Sequence, residues 1–288
     1  MSYAERTFTF EVAGDQVIGI VAVPELAKAT GVLVVVGGPQ YRVGSHRQFL
    51  LLSRALAEAG YSTMRFDYRG MGDGSGDLRG FETVNDDIER AIEAFFQHCP
   101  KLERIVLWGL CDAATANLLY WLRTRDTRIN GLVLLNPWAR SESTLARTHI
   151  KHYYAQRLLQ GEFWRKLLSG KLGIGRALLG FSSSWLRARH TLKPSANSAD
   201  VTQPFQKRMM QALDEYPESS LLILSGDDYT AKEFLEACQT DAQAIRALAK
   251  SRITRVDIPE ADHTFSSGVM RRTVEMATLD WLEKSVAP

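Results

Sequence analysis

Three side chains in this sequence stand at spacings that suit acyl-transfer chemistry. The segment Ile105-Val106-Leu107-Trp108-Gly109-Leu110-Cys111-Asp112-Ala113-Ala114 runs from an apolar strand into a small-residue turn with a cysteine at its apex, then into a helical pattern through Leu119. The spacing is that of Gly-x-Ser-x-Gly, with cysteine for serine and Ala113 where glycine is commoner. A side chain at the first turn of a helix feels the partial positive charge of unpaired amides, which favours thiolate, the nucleophilic form. Small residues at Gly109, Ala113 and Ala114 let a strained turn pass close to neighbouring strands.

A cysteine nucleophile needs a base, and the base needs an orienting carboxylate. Both follow in the chain order nucleophile, acid, histidine. After the apolar run Ser220 to Ser225 comes Gly226-Asp227-Asp228-Tyr229-Thr230, and of the two carboxylates Asp228 is preferred as the acid. After the run Ile253 to Ile258 comes Pro259-Glu260-Ala261-Asp262-His263-Thr264-Phe265, which places His263 in the loop before the last helical pattern. His263 would take the thiol proton and later protonate the leaving group, while the acid holds the ring in one tautomer and stabilises its charged form. The other histidines, His46, His98, His149, His152 and His190, lack this strand-end setting and read as surface or cap residues. An oxyanion needs fixed donors. The backbone amide of Asp112, directly after the nucleophile, is one candidate, and Gly38 in the turn Gly37-Gly38-Pro39-Gln40 is the second, because Pro39 has no N–H to give.

Positioning these groups requires an α/β architecture. An antiparallel pair at Thr7 to Val12 and Gln16 to Val23 precedes apolar runs at Val32 to Val36, Ser62 to Phe66, Arg104 to Trp108, Asn130 to Leu135, Ser220 to Ser225 and Ile253 to Ile258. Helical periodicity separates them at Phe49 to Ala59, Val84 to Gln97, Ala113 to Arg123, Lys232 to Lys250 and Gly268 to Lys284. The pattern predicts a mostly parallel eight-stranded sheet flanked by helices, with residues 1–137 and 217–288 as one core and 138–216 inserted as a helical cap.

On these motifs the chain resembles the α/β-hydrolase superfamily over nearly all its length outside the insertion. Arg65-Phe66-Asp67-Tyr68-Arg69-Gly70-Met71-Gly72-Asp73-Gly74-Ser75-Gly76 looks like that family's Asp-x-Arg-Gly-x-Gly loop. Within the superfamily, Gly38 to Arg47, the cysteine elbow and Gly226 to Phe234 are most similar to the exosortase A system-associated hydrolases of type 1. Those proteins belong to bacterial gene clusters for exopolysaccharide production and protein sorting. The resemblance implies an acyl hydrolase or transferase without naming a substrate. Val36 departs from it, replacing the histidine often found before the oxyanion glycine. Dienelactone hydrolases and polyhydroxyalkanoate synthases also carry cysteine in this elbow, so hydrolysis and acyl transfer both remain open. A non-catalytic interaction protein on the same scaffold is the third alternative.

At 288 residues and 45% hydrophobic content, the chain fits one large core carrying an insertion. Its three cysteines are too scattered for a disulfide framework or a metal site and suit a reducing cytoplasm, and no cofactor is implied. Met1 to Arg6 has no apolar signal core, and no run of 18 apolar residues could span a bilayer. Between Arg140 and Tyr216 there are 13 Lys or Arg against 5 Asp or Glu, whereas the whole chain is only +2. Such a basic cap could meet an acyl group on an anionic carrier or an anionic membrane surface, and Lys171 to Leu186 would suit an apolar mouth. A small-molecule or carrier-bound acyl substrate is expected. Nucleic acid is not, because the basic residues form no recognised binding module. The glycine-rich loop at 70–76 carries acidic residues and leads into no immediate helix, which argues against a phosphate cradle.

Overall fold

A computed structural model describes residues 2–38, 40–140 and 203–286. Its apolar runs form one sheet of β1 (Tyr3–Val12), β2 (Asp15–Pro24), β3 (Thr30–Val35), β4 (Thr63–Phe66), β5 (Arg104–Leu110), β6 (Ile129–Leu135), β7 (Ser220–Ser225) and β8 (Ile253–Ile258). The spatial order is β1-β2-β4-β3-β5-β6-β7-β8. Pairings β1 with β2 and β2 with β4 are antiparallel, and all later pairings are parallel. The central strands β3, β4 and β7 are buried at every residue, as expected where helices cover both faces of a parallel sheet.

Alternate strand residues feed two cores. Leu33, Leu107, Leu132, Leu134, Leu222 and Leu224 face helices α2 (Asn85–His98), α3 (Asp112–Thr124), α4 (Phe205–Glu215), α5 (Tyr229–Gln239) and α6 (Ala242–Leu248). Val32, Val34, Val106, Trp108, Val133, Leu221 and Ile223 face α1 (Gln48–Glu58) and α7 (Gly268–Ser285).

Two expectations change. The continuous helix over Lys232 to Lys250 is broken into α5 and α6, because Asp241 turns its carboxylate onto the Gln243 and Ala244 amides (2.8 and 3.1 Å) and starts a new helix. Residues 205–216, assigned from sequence to the cap, pack with the core instead. Helix α4 lies against α3 and α6, burying Met209, Met210, Ala212 and Leu213, and Tyr216 sits edge-on to Trp121 with ring centroids 5.0 Å apart. Three of the basic residues counted between Arg140 and Tyr216 pair within the core: Lys207 with Asp241 at 2.6 Å, Arg208 with Glu82, and Arg140 with Glu233 at 2.9 Å. The described residues of the compact unit containing the sheet are 2–38, 40–140 and 205–286. The remainder of the proposed cap, including the Lys171 to Leu186 segment, His149, His152 and His190, lies outside the described residues.

Candidate active site

Strand β5 ends at Leu110 and the chain reverses into α3 at Cys111, whose φ of 62° and ψ of −122° put a non-glycine residue in left-handed space. Such a conformation costs about 1–3 kcal/mol and persists where its surroundings enforce it. Here they do. The Cys111 amide donates to the Leu135 carbonyl (2.8 Å), its carbonyl accepts from the Trp138 amide (3.2 Å), and Thr115 Oγ1 donates to the Trp138 carbonyl (2.8 Å). Gly109 allows the close approach, since a Cβ there would sit 2.7 Å from Asn117 Nδ2 and 2.8 Å from Ala114 N. Cys111 is half-buried, whereas Cys99 and Cys238 are buried and burial pushes their thiols up to about 11 and about 12.

His263 and Asp228 arrive from the ends of β8 and β7. Nδ1 of His263 lies 2.9 Å from Asp228 Oδ2, so Asp228 rather than the exposed Asp227 is the carboxylate brought to the ring. Asp228 also caps α5, accepting from the Thr230 and Ala231 amides at 3.1 and 3.2 Å. Burial works to raise its carboxyl, but the His263 and amide hydrogen bonds outweigh it and hold Asp228 below the usual carboxylate range. The same bond, followed by one to Cys111, raises His263 from 6.5 to about 10 against the opposing effect of burial. A shift in that direction favours the imidazolium form of the ring at neutral pH. Two further residues hold the histidine loop. Asn136, at the end of β6, donates to Ser225 Oγ (2.6 Å) and to the His263 carbonyl (3.3 Å), and its Oδ1 accepts from the Ser225 amide (2.9 Å). Ser225 Oγ in turn donates to the Asp262 carbonyl (3.0 Å). Asn136 escaped the sequence reading, although a polar residue before Pro137 at the end of an apolar strand is a visible signal.

The turn after β3 meets the elbow differently from expectation. The Gly38 amide does not stand free for an oxyanion. It donates to Asp112 Oδ2 at 2.9 Å, with the Asp112 carboxylate lying over Gly37. Gly37 has no room for a side chain, since a Cβ would overlap Asp112 Oδ1 and lie 2.7 Å from Ala113 N. Arg42 anchors the far side of this turn. Its guanidinium pairs with the wholly buried Asp67, with Asp73 at 2.7 Å, and its amide donates to Asp67 Oδ1 at 2.7 Å. Arg69 makes a buried pair with Asp87 (2.7 Å), so both charged residues of the Asp-x-Arg-Gly-x-Gly loop bind structural partners.

Together these elements enclose a cleft of about 370 Å³. Its lining comprises Cys111, Asp112, His263, Gly37, Gly38 and Gln40 together with the apolar Phe49, Phe81, Leu110 and Trp138. The apolar residues suit an acyl chain, and the polar edge suits the reacting carbonyl. Of the other described histidines, His46 lies in the short turn before α1 and His98 stacks on Phe8, both apart from the cleft lining. Among the described residues no group of three or more His, Cys, Asp or Glu could hold a metal, and no helix is long and apolar enough to cross a membrane.

A mostly parallel eight-stranded sheet with a strained strand-to-helix turn at Cys111, directly after β5, is the architecture of the α/β-hydrolase class. The model of the alpha/beta hydrolase family matches residues 32–276, and the chain belongs to that family. A search of curated proteins finds no match. Solved structures share the fold at low identity. A Pyrococcus furiosus esterase is 14% identical with a TM-score of 0.64, over 99% of this chain and 93% of that one. A thermostable carboxyl esterase from Bacillus coagulans is 15% identical with a TM-score of 0.65, over 99% and 100%. Est1E from Butyrivibrio proteoclasticus, solved with ferulic acid, is 14% identical with a TM-score of 0.62, over 98% and 100%.

Proposed function

We propose that this protein is an acyl hydrolase that cleaves ester or thioester bonds through Cys111, His263 and Asp228, by way of an acyl-thioester intermediate. The observation that carries the proposal is the 2.9 Å contact of His263 Nδ1 with buried Asp228, on the cleft that Cys111 also lines. With Nδ1 engaged, Nε2 is the ring nitrogen left for the sulfur and the leaving group. The Cys111 thiolate attacks the acyl carbon, forming the C–S bond, and the carbonyl electron pair moves onto oxygen. Collapse of that adduct breaks the bond to the leaving alcohol or thiol, which takes the His263 proton. Neutral His263 then accepts a proton from water as its oxygen attacks the thioester carbon. The acid departs and Cys111 leaves as thiolate beside imidazolium. Asp228 stays ionised throughout and holds the ring. The Asp112 amide and, once vacated by the Asp112 carboxylate, the Gly38 amide are the oxyanion donors of this scheme.

The apolar lining of the cleft supports an acyl group as the bound half of the substrate. The resemblance of Gly38 to Arg47, the elbow and Gly226 to Phe234 to exosortase-associated hydrolases supports a substrate connected with exopolysaccharide production. The free described cysteines accord with a cytoplasmic site of action, and the basic residues between Arg140 and Asp200 would meet an anionic carrier or membrane surface. The test is turnover of short- and long-chain p-nitrophenyl esters and acyl thioesters by wild type, Cys111→Ala and His263→Ala. Hydrolysis by wild type and its loss in both variants supports the proposal. Equal hydrolysis by Cys111→Ala overturns it, and acyl transfer to an added alcohol or amine that outpaces hydrolysis identifies a transferase on the same groups.

A further inference from the structure

The carboxylate of Asp112 sits where the chemistry above needs an empty place. Asp112 directly follows Cys111, and its Oδ2 takes the Gly38 amide at 2.9 Å while Oδ1 fills the space over Gly37. Neither contact is an accident of a long, loose side chain. The parallel register of β3 with β5 pairs Val35 with Gly109, which carries Gly37 and Gly38 directly past the elbow. Glycine at 37 is what leaves room for the carboxylate, since any larger residue would overlap it. An amide bonded to a carboxylate is unavailable to an acyl oxygen, and a fixed negative charge in the cradle opposes the negative charge that develops there during attack.

We propose that the Asp112 side chain is a latch on the oxyanion cradle: it occupies the Gly38 amide in the free protein and must release it before Cys111 can be acylated. This rests on the assignment of Cys111 as an acyl-accepting nucleophile. The latch makes Asp112 a positioning residue that acts through Gly38 and sets the barrier of the acylation step. It discriminates against acyl donors that bind too weakly to displace a hydrogen-bonded carboxylate.

Two rates separate the latch from the general influence of a charge beside the nucleophile. Alkylation of Cys111 by iodoacetamide develops no oxyanion, whereas acylation by p-nitrophenyl acetate does. Both are measured on wild type, Asp112→Ala and Asp112→Asn by intact mass, and each keeps the residue-112 backbone amide. Loss of the charge alone moves the two rates together. The latch predicts that the ratio of acylation to alkylation rises in Asp112→Ala by on the order of ten- to a hundredfold, the equivalent of one charge-assisted hydrogen bond. Asp112→Asn, which keeps an acceptor for Gly38 but no charge, gives a smaller rise. An unchanged ratio in both variants, or a ratio that falls because Asp112 holds the turn in a productive place, overturns the latch while leaving wild-type acylation intact. Alkylation without acylation in wild type and both variants overturns the latch together with the assignment of Cys111 on which it rests.

Discussion

Asp228 carries two jobs that one substitution separates. Its carboxylate caps α5 through the Thr230 and Ala231 amides and receives His263 Nδ1 at 2.9 Å. Asparagine caps a helix about as well as aspartate, so Asp228→Asn keeps the cap and changes stability by less than about 0.5 kcal/mol at alkaline pH, whereas Asp228→Ala loses about 1 kcal/mol more. Both variants remove the charge that contributes most to raising His263 from 6.5 to about 10. Loss of an adjacent opposite charge lowers such a group by about 1–3 units. Because the histidine is raised in the folded protein, its stabilising effect is full below pH 6.5 and fades as pH climbs through about 10. The gap in melting temperature between wild type and Asp228→Asn is therefore widest at mildly acidic pH and closes toward pH 10. In kcat/KM, the alkaline limb that reports loss of the imidazolium moves to lower pH in Asp228→Asn, and the maximum falls by about 10²–10⁴-fold. Thermal melts and thioester hydrolysis across the pH range read both effects. An alkaline limb that stays in place, with a pH-independent gap in melting temperature, refutes the assignment of Asp228 as the partner that charges His263.

Other perturbations follow from the same geometry. Gly37→Ala forces a methyl group against the Asp112 carboxylate and the Ala113 amide, and denaturant unfolding is expected to show a loss of about 1–3 kcal/mol with a matching fall in acylation rate. Arg69→Ala strands the buried Asp87 charge and costs about 3–5 kcal/mol, read as a lower urea midpoint. Asn136→Ala leaves the buried Ser225 amide without its acceptor and frees the His263 loop. It costs about 1–3 kcal/mol and lowers kcat more than it raises KM, which steady-state kinetics resolves.

The parts legible in sequence were those with local signals. Cys111 sits at the junction of a strand period and a helix period, and Asp228 and His263 stand directly beyond apolar strand runs, so their types and positions were readable one segment at a time. The inner strands are readable because a parallel sheet covered on both faces demands continuous apolar runs such as Leu221-Leu222-Ile223-Leu224, whereas β1 and β2 are an antiparallel pair in which apolar and polar residues alternate. The break at Thr240 and Asp241 was hidden because helix-forming residues run through it without glycine or proline, and only the Asp241 cap marks the restart. Helix α4 was hidden by its charges: Lys207 and Arg208 matched the basic insertion, while the stripe that ties it to the core, Met209 with Met210 and Leu213, acquires meaning only against α3. The Gly38 contact with Asp112 spans 74 residues and is set by the β3 to β5 register, which no local pattern reports.

The most direct test of the account is peptide-mapped mass spectrometry of the protein quenched during turnover of an acyl thioester. The expected result is an acyl group on Cys111 that appears before the steady state, decays with the substrate, and forms far more slowly in His263→Ala. An acyl group on any other residue, or full turnover with Cys111 unmodified throughout and Cys111→Ala equally active, would contradict it.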